Sequence, residues 1–164
     1  MFRAGTAQAP AILRNHPASI EHIGSTAVPG LVAKPSIDIL VGLRHYAEVE
    51  WAIRDLMAAG YHYDAHKNAP LVGRQWLFRH RSGHRTHHIH LVSHGSPEWE
   101  DRVRFRNLLR DDPQLRLRYA TLKRALAHRY IHARARYSAA KGTFIRSALD
   151  HGGSRAQPLP SQDA

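Results

Sequence analysis

The sequence predicts an α+β domain, a mixed sheet with a helical bundle against it. Three observations support this. Two β-rich runs near the N-terminus, Ile20 to Ile23 and Ser36 to Leu43, flank a Gly-Ser turn and a loop. A loop leads into another β-rich run within Leu71 to His80, and Arg81-Ser82-Gly83-His84 has the turn chemistry of a hairpin into Thr86 to Val92. From Ser96 onward the periodicity is helical. The expected order is helix, strand, strand, helix, strand, one or two strands, then three helices.

Each element has its own local cause. The N-terminal stretch MFRAGTAQAPAILRNHP lacks the basic start and long apolar run of a signal peptide, and it reads as a short helix packing on the domain. Ile20 to Ile23 alternates apolar and polar, and Gly24-Ser25 breaks the strand. Val28-Pro29-Gly30 is a turn signal, because proline presets one dihedral and glycine accepts a positive one. Tyr46 to Gly60 predicts an amphipathic helix with Val49, Ile53, Leu56 and Met57 inward, stopped by Gly60. Ser96-Pro97-Glu98 starts a helix with an N-cap serine, a proline at the first position and an acid in the first turn. That helix presents Trp99, Val103 and Leu109 to a core. Asp112-Pro113 restarts the chain in the same manner, with Leu115, Tyr119, Leu122, Leu126 and Tyr130 at helical spacing. Tyr137, Phe144, Ala148 and Leu149 mark a last helix. The reading is one domain over residues 1–150 and a small, polar, proline-bearing tail over 151–164, expected to be disordered.

Composition narrows the partners. The chain of 164 residues has 24 Lys plus Arg against 13 acids, a net charge of +11. That balance favours an anion: a nucleotide, a phosphorylated metabolite or a nucleic acid. The alternative for most of the arginines is a solvated helical surface. No apolar run is long enough to span a bilayer, so no membrane partner is expected. The absence of cysteine excludes disulfides, thiolate nucleophiles and cysteine-rich zinc modules. It is compatible with the cytoplasm, which is the expected location.

The chemistry concentrates between Glu21 and Leu43. An aspartate inside the β-rich run IDILV, Asp38, is costly to bury unless a metal, a cation or hydrogen bonds satisfy it. One strand away, the Gly24-Ser25 turn offers backbone N–H groups and a hydroxyl that suit a phosphate. Phosphate donors beside a metal-binding carboxylate are what phosphoryl or nucleotidyl transfer requires. Lys34, between turn and aspartate, is a candidate point charge for a phosphate, or an ordinary loop lysine. His88 and His90 lie two apart, on one face of a strand, and form a candidate metal pair with Asp38. A polar cleft without metal is the competing reading in a chain with 14 histidines. Imidazole ligands would favour zinc or manganese over magnesium. His22 is a third candidate ligand. Arg74, Gln75 and Arg79 are candidates to edge the working face. Glu21 reads as structural and opposite in direction to His22.

The residues HIGSTAVPGLVAKPSIDI, from His22 to Ile39, resemble a nucleotidyltransferase signature, in which Gly-Ser holds a triphosphate and a D-x-[DE] pair holds magnesium. With THHIHLV at 86–92, GSPEW at 95–99, and FRNLLRDDPQL followed by YATLKRALAHRY at 105–130, the chain more closely resembles the GrpB-like family over roughly residues 18–149. The resemblance implies a nucleotidyltransferase-like mixed sheet with a C-terminal helical bundle. It also implies a nucleoside triphosphate with Gly24 and Ser25 on its phosphates and Asp38 as the catalytic, metal-binding carboxylate for Mg2+; the imidazoles would shift that choice toward Mn2+ or Zn2+, and Lys34 stays a candidate on phosphate from its position alone. One departure matters: Leu40 stands where the second acid of the pair belongs. The resemblance therefore implies either a metal-dependent transferase with an altered site or a non-catalytic nucleotide- or anion-binding module on the same fold.

Overall fold

The computed structural model describes residues 12–13 and 17–152. They divide into two compact units. One holds the described residues up to Ala27 together with Ala33–Val103, and the other holds Val28–Val32 and the residues from Arg104 onward.

The first unit is built on a five-stranded mixed sheet in the order β1-β2-β5-β4-β3. The strands are β1 (Pro17–Ile23), β2 (Ile37–Leu43), β3 (His62–Tyr63), β4 (Arg74–Arg81) and β5 (His84–Ser93). Every neighbouring pair is antiparallel except β2 and β5, which run parallel at the centre. The β4–β5 hairpin closes through Ser82 and Gly83, both at positive φ (50° and 77°), as a two-residue primed turn requires. β3 has only two residues, too short to show the alternation that marks a strand in a sequence.

Successive side chains on a strand point to opposite faces, so the pairing register fixes which residues share one. On one face Ile39, Val41, Leu43, Leu77, Ile89 and Leu91 are fully buried. Helix α1 (Val49–Ala58) adds Ala52 and Leu56 to that core, and a single turn at Tyr46–Glu48 leads into it. Met57, expected inward, is 51% exposed. It directly follows Leu56, so a helix that turns Leu56 to the core turns its neighbour about 100° away. Of the N-terminal helix expected from the sequence, only Ile12 and Leu13 are described, and Leu13 is fully buried in this core.

On the opposite face, Ile23, Leu40 and Val92 pack against Trp99 in the first turn of helix α3 (Pro97–Asp111). The Trp99 N–H donates to Ser96 Oγ at 3.3 Å, which caps the helix as the sequence predicts. Gly42 lies directly beneath this contact. A Cβ there would stand 2.8 Å from Trp99 Cζ3 and 2.9 Å from His94 Cδ2.

A one-turn helix, α2 (Ala65–Asn68), precedes β4. Its buried Asn68 receives the Trp76 N–H at 2.6 Å and donates to the Trp76 carbonyl and the Asp64 carbonyl, each at 2.9 Å. This satisfied amide fixes the backbone of β4 at Trp76.

The second unit is helical. Its core comprises Val28 and Leu31 from the loop after β1, Leu109 from the end of α3, and residues of α4 (Pro113–Arg129) and α5 (Arg134–Asp150). Leu115, Tyr119, Phe144 and Ala148 are buried there, as the spacing predicts. The Asp112 carboxylate accepts from the N–H groups of Gln114 and Leu115, both at 2.9 Å, and so starts α4. Of the expected tail, His151 and Gly152 form a turn and the remainder lies outside the described residues. Among the described residues, no helix is long and apolar enough to cross a membrane.

Restoring an acid at position 40 should fail. Leu40 is fully buried among apolar side chains. Leu40→Asp loses the leucine contacts and strands a carboxylate, so it should cost about 3 kcal/mol or more in chemical denaturation.

Candidate functional site

The site grows from the register of four strands. Asp38 on β2 stands opposite His88 on β5 and Ile23 on β1. Leu40 stands opposite His90 and Glu21, and β4 sets Phe78 against His88 and Trp76 against His90. Asp38, His88, His90, Glu21, Trp76 and Phe78 therefore share one face. His22 pairs with Ile39 and lies on the other face, where its Nε2 is 3.0 Å from Thr26 Oγ1. It does not join Asp38 as a ligand. Arg79 also falls on the other face, opposite His87, with its guanidinium 5.6 Å from the Tyr61 ring centroid. Gln75 is on that face too and accepts from the Tyr63 hydroxyl at 2.7 Å.

Asp38 is held from two sides. Its Oδ1 lies 3.0 Å from His88 Nδ1. An ionised carboxylate only accepts, so Nδ1 is the donor, and in the neutral imidazole Nε2 carries the lone pair. Nε2 is buried and has no hydrogen-bond partner among the described residues. A carboxylate on one ring nitrogen, with the other nitrogen left unpartnered, is the arrangement of an oriented base or of a metal-binding imidazole. On the other side of Asp38 stands Gly24, at φ 72°. A Cβ on Gly24 would overlap the carboxylate, coming within 3.0 Å of Asp38 Cβ and Cγ. Glycine is thus required twice, for its dihedral and for its lack of side chain.

The turn that follows is a single 3-10 turn, Ser25–Ala27. The Thr26 hydroxyl donates to the Ser36 carbonyl at 3.1 Å, which ties the turn to the start of β2. Lys34 is exposed on the intervening loop.

A cationic cluster lies on the same face. Arg74 Nη1 reaches Glu98 Oε1 at 2.6 Å, and Arg102 reaches the same oxygen through Nη2 at 2.6 Å and Nε at 2.7 Å. Burial lowers the Arg102 pKa, while Glu98 and, more weakly, Asp38 favour its charged form. Burial raises the Glu98 carboxyl, but Arg102 and Arg74 outweigh it and hold it below its ordinary value. Arg102 follows Trp99 by one turn on α3. It was legible from the sequence only as one of many arginines, since nothing local says which one faces Asp38. Glu21 lies opposite His22 in direction, as expected, but that places it on the Asp38 face.

Among the described residues, no three His, Asp or Glu side chains are gathered closely enough to hold a metal by themselves. His88 and His90 share the Asp38 face, and of the two it is His88 that is hydrogen-bonded to Asp38, through Nδ1.

The Glu98 cluster should show in acid. A carboxyl whose folded pKa is depressed contributes stability above its unfolded value, and loses it as pH falls through the folded one. Thermal unfolding followed from pH 7 to pH 3 should therefore fall less steeply below about pH 4.5 in Glu98→Gln than in the wild type. Parallel curves would show that the cluster is unimportant for stability.

Comparison with known proteins agrees with this architecture. The family model described as GrpB protein matches residues 2–151. The glutamate-rich protein GrpB of Alkalihalophilus pseudofirmus is 30% identical over 80% of this chain and 76% of its own length. The UPF0157 protein YqkA of Bacillus subtilis is 34% identical over 81% of this chain, which spans only 38% of that relative. The crystal structure of the conserved protein GrpB from Enterococcus faecalis superposes with a TM-score of 0.74, at 34% identity over 89% of each chain. The chain belongs to the GrpB family.

Proposed function

We propose that this protein binds a nucleotide or other phosphorylated ligand at the Gly24-Ser25 turn, with a divalent cation bridging the phosphates to Asp38. The observation that carries this reading is the apposition of turn and carboxylate, so close that no side chain fits at Gly24. A phosphate that reaches the backbone N–H groups of such a turn is brought beside Asp38. Magnesium is commonly held by one or two carboxylates, with substrate phosphates and water completing its shell. Asp38, with Glu21 on the same face, fits that role without a complete protein cage. Arg74 and Arg102 add positive charge to this face, and Lys34, exposed on the loop between turn and carboxylate, is a further candidate cation.

A metal-dependent nucleotidyl transfer is the catalytic form of this reading. When bound, the cation would neutralise charge developing on the transferred phosphate. The Asp38–His88 pair would hold the carboxylate still, and His88 Nε2 is the candidate acceptor for a hydroxyl proton. The second reading, a binding module without transfer, is favoured by Leu40. That position is core, so the usual second acid has no place on β2.

Calorimetry with the four common nucleoside triphosphates, each with Mg2+, Mn2+ or Zn2+, tests the binding. At least one combination should bind the wild type, and Ser25→Trp should weaken it at least about tenfold by blocking approach to the backbone. No heat at millimolar ligand with any metal would overturn the proposal. Pyrophosphate release then separates a transferase from a module.

A further inference from the structure

Beside Asp38 and His88, the same sheet face carries a continuous row of rings. His88 meets Trp76 edge-on, with centroids 5.6 Å apart, and Trp76 meets Phe78 at 4.9 Å. Phe78 in turn contacts His80 at 5.0 Å and stacks on His62 at 5.5 Å. The Arg85 guanidinium lies 4.4 Å from the Phe78 centroid and 5.3 Å from that of Trp76. Trp76 and Arg85 are half-buried, and His62 and His80 are exposed, so the row reaches solvent.

On the opposite face the buried core is mostly aliphatic, with Tyr61 its only buried ring among the described residues. Planar rings topped by a guanidinium are what sequence-tolerant recognition of a nucleobase uses, since every base has a π-face. The row is also placed for it. Trp76 and Phe78 are on β4, two strands from Asp38, a lateral separation of about 10 Å at ordinary strand spacing. That is comparable to the reach of a nucleotide from phosphate to base. The backbone beneath Trp76 is fixed by Asn68, so the platform is rigid before any ligand arrives.

We infer that the Trp76–Arg85 end of this row is the base-binding half of the site, so that the ligand is a nucleotide rather than a simple phosphorylated metabolite. The inference rests on the phosphate reading of the Gly24-Ser25 turn and adds the substrate class to it.

The test compares inorganic tripolyphosphate with ATP, GTP, CTP and UTP, all with Mg2+, on the full chain. At least one nucleotide should bind about tenfold or more tightly than tripolyphosphate, the gain expected of one stacked base. Trp76→Leu should remove most of that gap while leaving tripolyphosphate affinity unchanged, and Trp76→Phe should retain most of it. Arg85→Ala, which removes no ring, should narrow the gap as well and guards against a Trp76→Leu variant that misfolds. Equal binding of tripolyphosphate and all four nucleotides would overturn the base platform and leave the phosphate site standing. A gap that survives in Trp76→Leu and Arg85→Ala would also overturn it. Failure of every phosphate compound to bind would overturn both readings together.

Discussion

The parallel pairing of β2 with β5 is the constraint on which the site depends. It sets residue 38 opposite residue 88 and brings together two blocks of chain fifty positions apart. A parallel pair cannot be closed by a hairpin, so the intervening chain must cross over. Here the crossover carries α1, which covers the apolar face, and the β4 strand, which extends the sheet beyond β5. One pairing thus places the core on one side and the polar site on the other. A one-residue slip would send Asp38 into the apolar core and an isoleucine into the site.

The two faces follow different energetic rules. Ile39, Val41, Ile89 and Leu91 contribute in proportion to the apolar area they remove from water. Asp38, His88, Glu98 and Arg102 gain little from burial itself. Their contribution depends on each charge having a partner, because removing one partner leaves another charge partly desolvated. The shared oxygen of Glu98, which accepts from both Arg74 and Arg102, is the point where that dependence is strongest.

Much of this architecture was legible from local chemistry. Gly24, Asp38 and the His88–His90 spacing stood out because each conflicts with its surroundings: a break, a buried charge, paired imidazoles in a β-rich run. Asp112-Pro113 and Ser96-Pro97 marked helix starts because capping is local. What could not be read was register. His22 and Arg79 were candidates for the working face until the pairings His22–Ile39 and Arg79–His87 put them on the other. The nearness of Glu21 and Arg102 to the Asp38 face depends likewise on pairing and packing across the sheet. Leu40 was legible as a departure, but its cause, burial against Trp99, lay in a helix far along the chain.

Gly42 and Trp99 share a further constraint. The indole occupies the space in which a side chain at position 42 would stand. The two positions therefore behave as a single steric quantity divided between β2 and α3. A larger residue at 42 is admissible only with a smaller one at 99, and a smaller one at 99 alone leaves a void over the sheet. Because Trp99 lies one turn before Arg102, any such exchange also resets how closely the guanidinium approaches Asp38. The evolutionary freedom of a glycine in the sheet is thus tied to the electrostatics of the site, and drift at either position would be expected to appear as paired change.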